Sequence, residues 1–146
     1  MLPLSLEQKL ELINSAKQAY QNAYAPYSQF HVGCAALSAK GEIVQGCNVE
    51  NASYGLTVCA ERNCMANAVI RGIRTFSAIV VYTEQLQLTP PCGACRQVIA
   101  EFCSHDTPVI AANHLNQSHT WTVAQLLPDA FTPQSLHDAQ SAKNRK

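Results

Sequence analysis

The run Phe76-Ser77-Ala78-Ile79-Val80-Val81-Tyr82 constrains the fold more than any other stretch of this chain. Seven consecutive residues, nearly all apolar, leave no face for water. Such a run reads as a strand buried on both sides, which requires helices above and below it. Its neighbours fit that demand. From Ser5 to about Tyr24, Leu6, Leu10, Ile13, Ala16, Tyr20 and Ala23 recur at helical spacing, and Ser5 with Gln8 forms a capping box. Ala25-Pro26-Tyr27-Ser28 ends that helix. Phe30 to Ser38 and Ile43 to Glu50 read as two strands of a hairpin turning across Ala39-Lys40-Gly41-Glu42. Thr57 to Arg71 is helical, with Gly72 as its C-terminal cap. Gly93 to Cys103 predicts another helix, Pro108 to Ala112 a short buried strand, and Thr122 to Leu127 one or two helical turns stopped by Pro128. Hairpin, helix, strand, helix, strand predicts an α/β layered domain with a mixed sheet.

Residues 1–131 read as one domain with a single core, and 132–146 as a polar tail, frayed or mobile. Ten basic residues balance ten acidic ones, and charged residues total 14%. No basic stripe marks a nucleic-acid footprint, and no apolar run approaches the roughly 20 residues of a membrane span. The first residues lack the charged and apolar regions of a signal peptide, so the chain reads as cytoplasmic. Seven cysteines in that setting point to metal ligands or redox groups rather than a disulfide framework. Cys34, Cys47, Cys64 and Cys103 sit in apolar stretches and read as small core residues.

The remaining cysteines cluster in Cys59-Ala60-Glu61-Arg62 and Pro90-Pro91-Cys92-Gly93-Ala94-Cys95. Both motifs fall at helix starts, near strand ends where open α/β sheets place ligands. Cys92 and Cys95 project about 60° apart and about 4.5 Å along the axis, so both sulfurs can share one metal. Helix amino ends favour thiolates, and Arg62 can offset the charge of three of them. Glu61 is not needed as a ligand and can curl toward an open position to move protons. A redox Cys-x-x-Cys pair is an alternative, but it explains neither Cys59 nor Glu61. A structural four-cysteine zinc needs Cys64 or Cys103. Cys64 lies about 140° around the helix from Cys59, and Cys103 about 12 Å beyond Cys95.

With these residues in place the chain resembles the zinc-dependent cytidine deaminases, whose Cys-or-His, Cys, Cys site is a known pattern. The matching pieces are Cys59-Ala60-Glu61-Arg62, Pro91-Cys92-Gly93-Ala94-Cys95-Arg96-Gln97, Asn48-Val49-Glu50-Asn51-Ala52-Ser53-Tyr54 and Phe30-His31-Val32-Gly33-Cys34-Ala35. The resemblance spans about Tyr24 to Phe131. A cysteine as first ligand in a short chain is similar to the homotetrameric branch. It implies a three-layer α/β/α sandwich with a mixed sheet of about five strands, and one zinc per chain held by Cys59, Cys92 and Cys95. It also implies Glu61 as proton carrier to ring N3 and to the departing amino group.

The resemblance assigns Asn48 and Glu50 to the ribose hydroxyls and Phe30 to the pyrimidine ring. On a strand Asn48 and Glu50 share a face; Phe30 read alone is core. Ala52, Tyr54 and Phe131 match positions that reach a neighbouring subunit's site. The implied reaction is hydrolytic deamination of cytidine and deoxycytidine in pyrimidine salvage. The partners implied are a pyrimidine nucleoside and further copies of the chain, with no nucleic acid and no membrane. Rival readings are a blasticidin-type or purine-base deaminase and a zinc-stabilised interaction module. The family more often has alanine at Cys34. If the hairpin is symmetric about Lys40-Gly41, Cys34 lies opposite Cys47, with both thiols reduced.

Overall fold

The computed structural model describes residues 3–144. Helix α1 (Leu6–Gln21) precedes strands β1 (Gly33–Ser38) and β2 (Ile43–Cys47). Then come α2 (Ala60–Ile70), β3 (Phe76–Tyr82), α3 (Gly93–Phe102), β4 (Pro108–Ala112), β5 (Ser118–Thr122), α4 (Val123–Leu126) and α5 (Pro133–Asn144). The five strands form one sheet in the order β2-β1-β3-β4-β5. Only β3 and β4 run parallel; the other pairs are antiparallel, so the sheet is mixed as expected.

Central strands β1 and β3 bury both faces, as the apolar run requires. On one face Ala35, Leu37, Ala78, Val80 and Tyr82 pack beneath Leu12 and Ala16 of α1. On the other, Cys34, Ala36, Val44, Ile79 and Val109 pack against α2, α3 and α4 through Ala60, Cys64, Met65, Ile99 and Leu126. The α1 stripe differs from the sequence reading. Leu12, Ala16 and Ala19 are its buried residues, whereas Leu6 is 72% exposed and Leu10 also faces out. The reason is a close approach: a Cβ on Gly33 would lie 1.9 Å from the Ala16 carbonyl oxygen. The helix turns Leu12 and the small Ala16 and Ala19 toward the sheet and leaves Leu6 and Leu10 outside.

Gly46 plays the same part on the opposite face. A Cβ there would lie 2.4 Å from the Cys64 backbone nitrogen and 2.5 Å from the Ala60 carbonyl oxygen. Those atoms are backbone and cannot rotate away. Gly46→Ala is expected to destabilise the fold by about 1–3 kcal/mol through overpacking, read as a lower urea midpoint; an unchanged midpoint would contradict so close a seat for α2.

The hairpin corrects the cysteine pairing. Gly33 faces Cys47 and Cys34 faces Gly46, one residue away from the symmetric register. Ser38 and Glu42 close a three-residue loop, with Ser38 N–H donating to Glu42 at 2.8 Å and Gly41 at φ 91°. A left-handed third loop residue makes this an odd-length turn, which shifts every partner by one. Cys34 consequently packs beside Cys64 in the core, and Cys47 does not face it.

Element ends moved as well. Strand β1 begins at Gly33 rather than Phe30, and β2 ends at Cys47 rather than Glu50, so the Phe30 and Asn48–Glu50 segments lie just beyond the ladder. Strand β5 has no counterpart in the sequence reading: Ser118, His119 and Thr120 are exposed, and no apolar alternation announces this edge strand. The polar tail forms α5, which buries no residue.

Candidate active site

Strands β2 and β3 run in the same direction on either side of β1, so their carboxyl ends emerge together. The chain leaves β2 through Asn48–Glu50 and returns through Val58, paired to Val49 by reciprocal 3.0 Å hydrogen bonds, before starting α2. The Asn63 amide donates to the Cys47 carbonyl at 2.8 Å and pins that return. Cys59 is the N-cap of α2. The chain leaves β3 through a loop ending in Pro90-Pro91, and Cys92 is the N-cap of α3. Arg96 holds this second start in place. Its Nε donates to the Pro91 carbonyl at 2.7 Å and its Nη1 to the Leu126 carbonyl at 3.1 Å.

Two helix amino ends therefore meet, and with them the three sulfurs. Cys59 Sγ lies 3.9 Å from Cys92 Sγ, and Cys92 Sγ 3.4 Å from Cys95 Sγ. All three sulfurs lie within 4.8 Å of one another, and among the described residues they are the one cluster of metal-ligand type. A tetrahedral zinc with bonds of about 2.3 Å separates its sulfurs by about 3.8 Å, so the spacing fits. Cys64 and Cys103 lie outside the cluster, which leaves the fourth position to something other than protein sulfur.

The electrostatics match a metal centre. Cys59 is held down to about 5 by hydrogen bonding from Cys95, with Arg62 and Cys92 adding to the effect. The Cys95 thiol, donating to that thiolate, is pushed far up. Arg62 Nη2 lies 3.8 Å from Cys59 Sγ and 3.4 Å from the Thr57 carbonyl, and contact with the thiolate strengthens its hold on its charge. The Arg62 Nε is buried without a hydrogen-bond partner, an orphaned donor beside a cluster built to carry negative charge.

Glu61 follows Cys59 by two residues in the first turn of α2 and is buried. Burial, with the Cys59 charge adding to it, raises its carboxyl above the ordinary carboxylate value. A cleft of about 210 Å³ joins Glu61, Cys59 and Cys92 to Phe30, Asn48 and Glu50. Asn48 and Glu50 reach that cleft from extended chain just past β2. The Asn48 amide donates to the Phe30 carbonyl at 2.7 Å and accepts from Val32 N–H at 2.9 Å, fixing the segment that carries Phe30. Phe30, 38% exposed, forms cleft wall rather than core. Glu50 accepts from the Tyr27 and Ser28 amides at 3.0 and 3.1 Å and from the Ser28 hydroxyl, which lowers its carboxyl.

Ala52, Tyr54 and Phe131 do not line this cleft. Ala52 lies on the surface, Tyr54 is 77% exposed with its ring 6.1 Å from that of Tyr27, and Phe131 is 61% exposed, its carbonyl bonded to Gln97. Ser28, Thr57, Val81 and Thr89 line it without having been singled out in the sequence. Ser28 was visible only as part of the turn that ends α1. A wider cleft of about 690 Å³ lies at the far end of the sheet, but Lys40 is its lone ionisable lining residue.

Residues 6–111 match the model of the cytidine and deoxycytidylate deaminase zinc-binding region. The chain belongs to that family. A cytidine deaminase of Halalkalibacterium halodurans is 48% identical over 127 residues, covering 87% of this chain and 96% of its own. One from Sporosarcina psychrophila is 47% identical over 126 residues, covering 86% and 93%. Among solved structures, the cytidine deaminase of Burkholderia pseudomallei superposes with a TM-score of 0.81 at 45% identity, over 84% of this chain and 98% of that one. The matched model describes a zinc-binding region, the three sulfurs are a group that could hold such a metal, and the five-stranded α/β/α sandwich is the fold of these relatives.

Proposed function

We propose that the protein is a cytidine deaminase that hydrolyses cytidine and deoxycytidine to uridine and deoxyuridine with release of ammonia. The observation carrying this reading is one cleft lined by two chemically distinct sets of groups. Cys59, Cys92 and Glu61 line it, with Cys95 beside them in the sulfur cluster, and Asn48, Glu50 and Phe30 line it too. The relatives' names point the same way.

Zinc held by Cys59, Cys92 and Cys95 would supply Lewis acidity, making water a nucleophile near neutral pH. The remaining work belongs to the chain. Glu61, ionised, accepts a proton from the attacking water and delivers it to ring N3, so that oxygen adds at C4. It then carries the second proton from that oxygen to the exocyclic nitrogen as the C4–N bond breaks and ammonia leaves. Burial raises the Glu61 carboxyl above the ordinary carboxylate value, which strengthens its hold on a proton in transit. Phe30 offers an apolar wall to the pyrimidine, and Asn48 and Glu50 offer an amide and a carboxylate to the sugar hydroxyls.

Residues lining the cleft and its outer mouth include no Lys, Arg or His, while Glu50 and Glu61 are acidic. A phosphate ester would meet carboxylates and no cation, so the favoured substrate is the free nucleoside. Glu50→Ala is expected to raise KM for cytidine about 10- to 100-fold, with kcat affected less, the loss of a hydrogen bond to a charged group. Its carboxyl is lowered, so the contact is present at every pH above its ordinary value of 4.5 and is lost only as pH falls below that. Wild-type KM should stay level from pH 8 to pH 5. Loss of cytidine absorbance on adding zinc-loaded protein tests the whole reading; no change with cytidine or deoxycytidine would refute it.

The site is completed in a homotetramer, with Ala52, Tyr54 and Phe131 reaching a neighbour's cleft. In support, the exposed Tyr54, Leu56 and Phe131 are large apolar residues that contribute nothing to their own subunit's core. Sedimentation at four times the chain mass is expected. Residues 1–131 form the catalytic unit and 132–146 an appendage, acting in cytoplasmic pyrimidine salvage. No helix of the described residues is long and apolar enough to cross a membrane.

A further inference from the structure

The segment from Ala25 to Phe30 is a tight turn that closes back on itself. Gln29 N–H donates to the Ala25 carbonyl at 3.0 Å, and the Gln29 side-chain amide to the Pro26 carbonyl at 3.1 Å. Gln29 has φ 59°, a left-handed conformation that disfavours a residue with a Cβ. That turn aims Ser28 at Glu50. The Glu50 Oε1 already accepts two backbone N–H groups, from Tyr27 and Ser28, and Oε2 accepts the Ser28 hydroxyl. The Ser28 oxygen in turn accepts the Phe30 N–H at 3.0 Å. A hydroxyl has one proton to donate. With Phe30 N–H directed at its oxygen, that proton is left free to point at the carboxylate. A glutamate has three rotatable side-chain bonds, and without these partners Glu50, near the surface, would sample many rotamers.

We infer that Ser28 is a positioning residue for substrate binding: its hydroxyl locks the Glu50 carboxylate in the orientation that receives the sugar, joining that carboxylate to the chain segment bearing Phe30. The inference rests on the nucleoside-deaminase reading above. Two of the carboxylate's roughly four acceptor positions are taken by backbone and one by Ser28, which leaves the last, on Oε2, for the ligand. Ser28 thus selects which oxygen faces the sugar. Its effect belongs to binding rather than to bond breaking, because its hydrogen bonds go to Glu50 and the Phe30 N–H and none goes to Glu61 or the sulfurs.

The test is steady-state kinetics on zinc-loaded protein with cytidine, for wild type, Ser28→Ala, Ser28→Thr, Glu50→Ala and the Ser28→Ala/Glu50→Ala double variant. Zinc content and Tm are measured for each. Ser28→Ala is expected to raise KM about tenfold with kcat within about twofold, the size of one charge-assisted hydrogen bond. Ser28→Thr, which keeps the hydroxyl, should recover most of that loss. In the Glu50→Ala background, Ser28→Ala should change kcat/KM by less than about twofold, since the group it orients is gone. A purely structural serine would instead show the same loss in both backgrounds, and that result overturns the inference. So does an unchanged KM, or a fall in kcat with KM unaltered. Wild-type protein inert toward cytidine would bring down the deaminase reading itself, and this assignment with it; wild-type turnover with additive variants removes the Ser28 role alone.

Discussion

Glu61→Gln should lower kcat by about 10²- to 10⁴-fold, the range attributable to a positioned general acid–base group, while zinc remains at one per chain. The amide matches the carboxylate in size and hydrogen-bonding reach, so the buried turn it occupies should accept it. It cannot take up and release a proton. Glu61 sits in the first turn of α2, where the helix amino end favours its anion, while burial favours its neutral form. Those opposed influences suit a group that must be anionic to accept a proton and neutral to donate it. The raised carboxyl also fixes the acid side of the pH profile. Activity should fall as pH drops through a value above the ordinary 4.5 and disappear from the profile of Glu61→Gln. Near-normal turnover by that variant would refute the proton-carrier role, and zinc loss would move Glu61 into the metal's support.

Cys59→Ala should remove both zinc and turnover, with activity falling below detection and metal analysis showing far less than one zinc per chain. Of the three proposed ligands, Cys59 comes from the start of α2, and Cys92 and Cys95 from the start of α3. Its loss reduces the cluster to a Cys-x-x-Cys pair. The overall fold should survive, since the two apolar cores do not depend on the sulfur cluster for closure. Unchanged far-ultraviolet circular dichroism at room temperature with a lowered Tm is the expected signature. In wild type, zinc retention should weaken as pH falls. Cys59 is a thiolate down to about 5, but Cys95 holds its proton strongly and must release it to the metal. Each proton displaced costs about tenfold in affinity per unit of falling pH. A chelator should therefore strip zinc far more readily at pH 5 than at pH 8. Retention independent of pH, or full zinc in Cys59→Ala, would mean the metal sits elsewhere.

The chain's legibility varied by element for physical reasons. Phe76–Tyr82 and Pro108–Ala112 matched their strands to the residue, because continuous burial leaves a continuous apolar signal. The Ser5–Gln8 capping box and the short α4 likewise follow local hydrogen bonding. Strand β5 left no such trace, since an edge strand with Ser118, His119 and Thr120 facing solvent has a polar composition. The hairpin register was hidden in a single backbone angle at Gly41, and the buried face of α1 in a helix–strand distance only Gly33 permits. At the site, Ser28 escaped notice because its role depends on Glu50, which is distant in sequence and brought near by a turn closed through Gln29.

Cys59-Ala60-Glu61 and Cys92-Gly93-Ala94-Cys95 mark candidate metal ligands and a candidate proton carrier in the sequence alone, because within one helical turn the covalent chain sets which side chains are neighbours. The tertiary structure decided that the two motifs meet. Cys59 and Cys92 come within 3.9 Å only because β1 separates two strands that end on the same side of the sheet, and because Gly46 lets α2 settle against β2. It likewise decided that Glu61 is buried, and burial is what raises its carboxyl and suits it to move protons. Local sequence supplied the reacting groups; long-range packing set the distance between them and the dielectric around them.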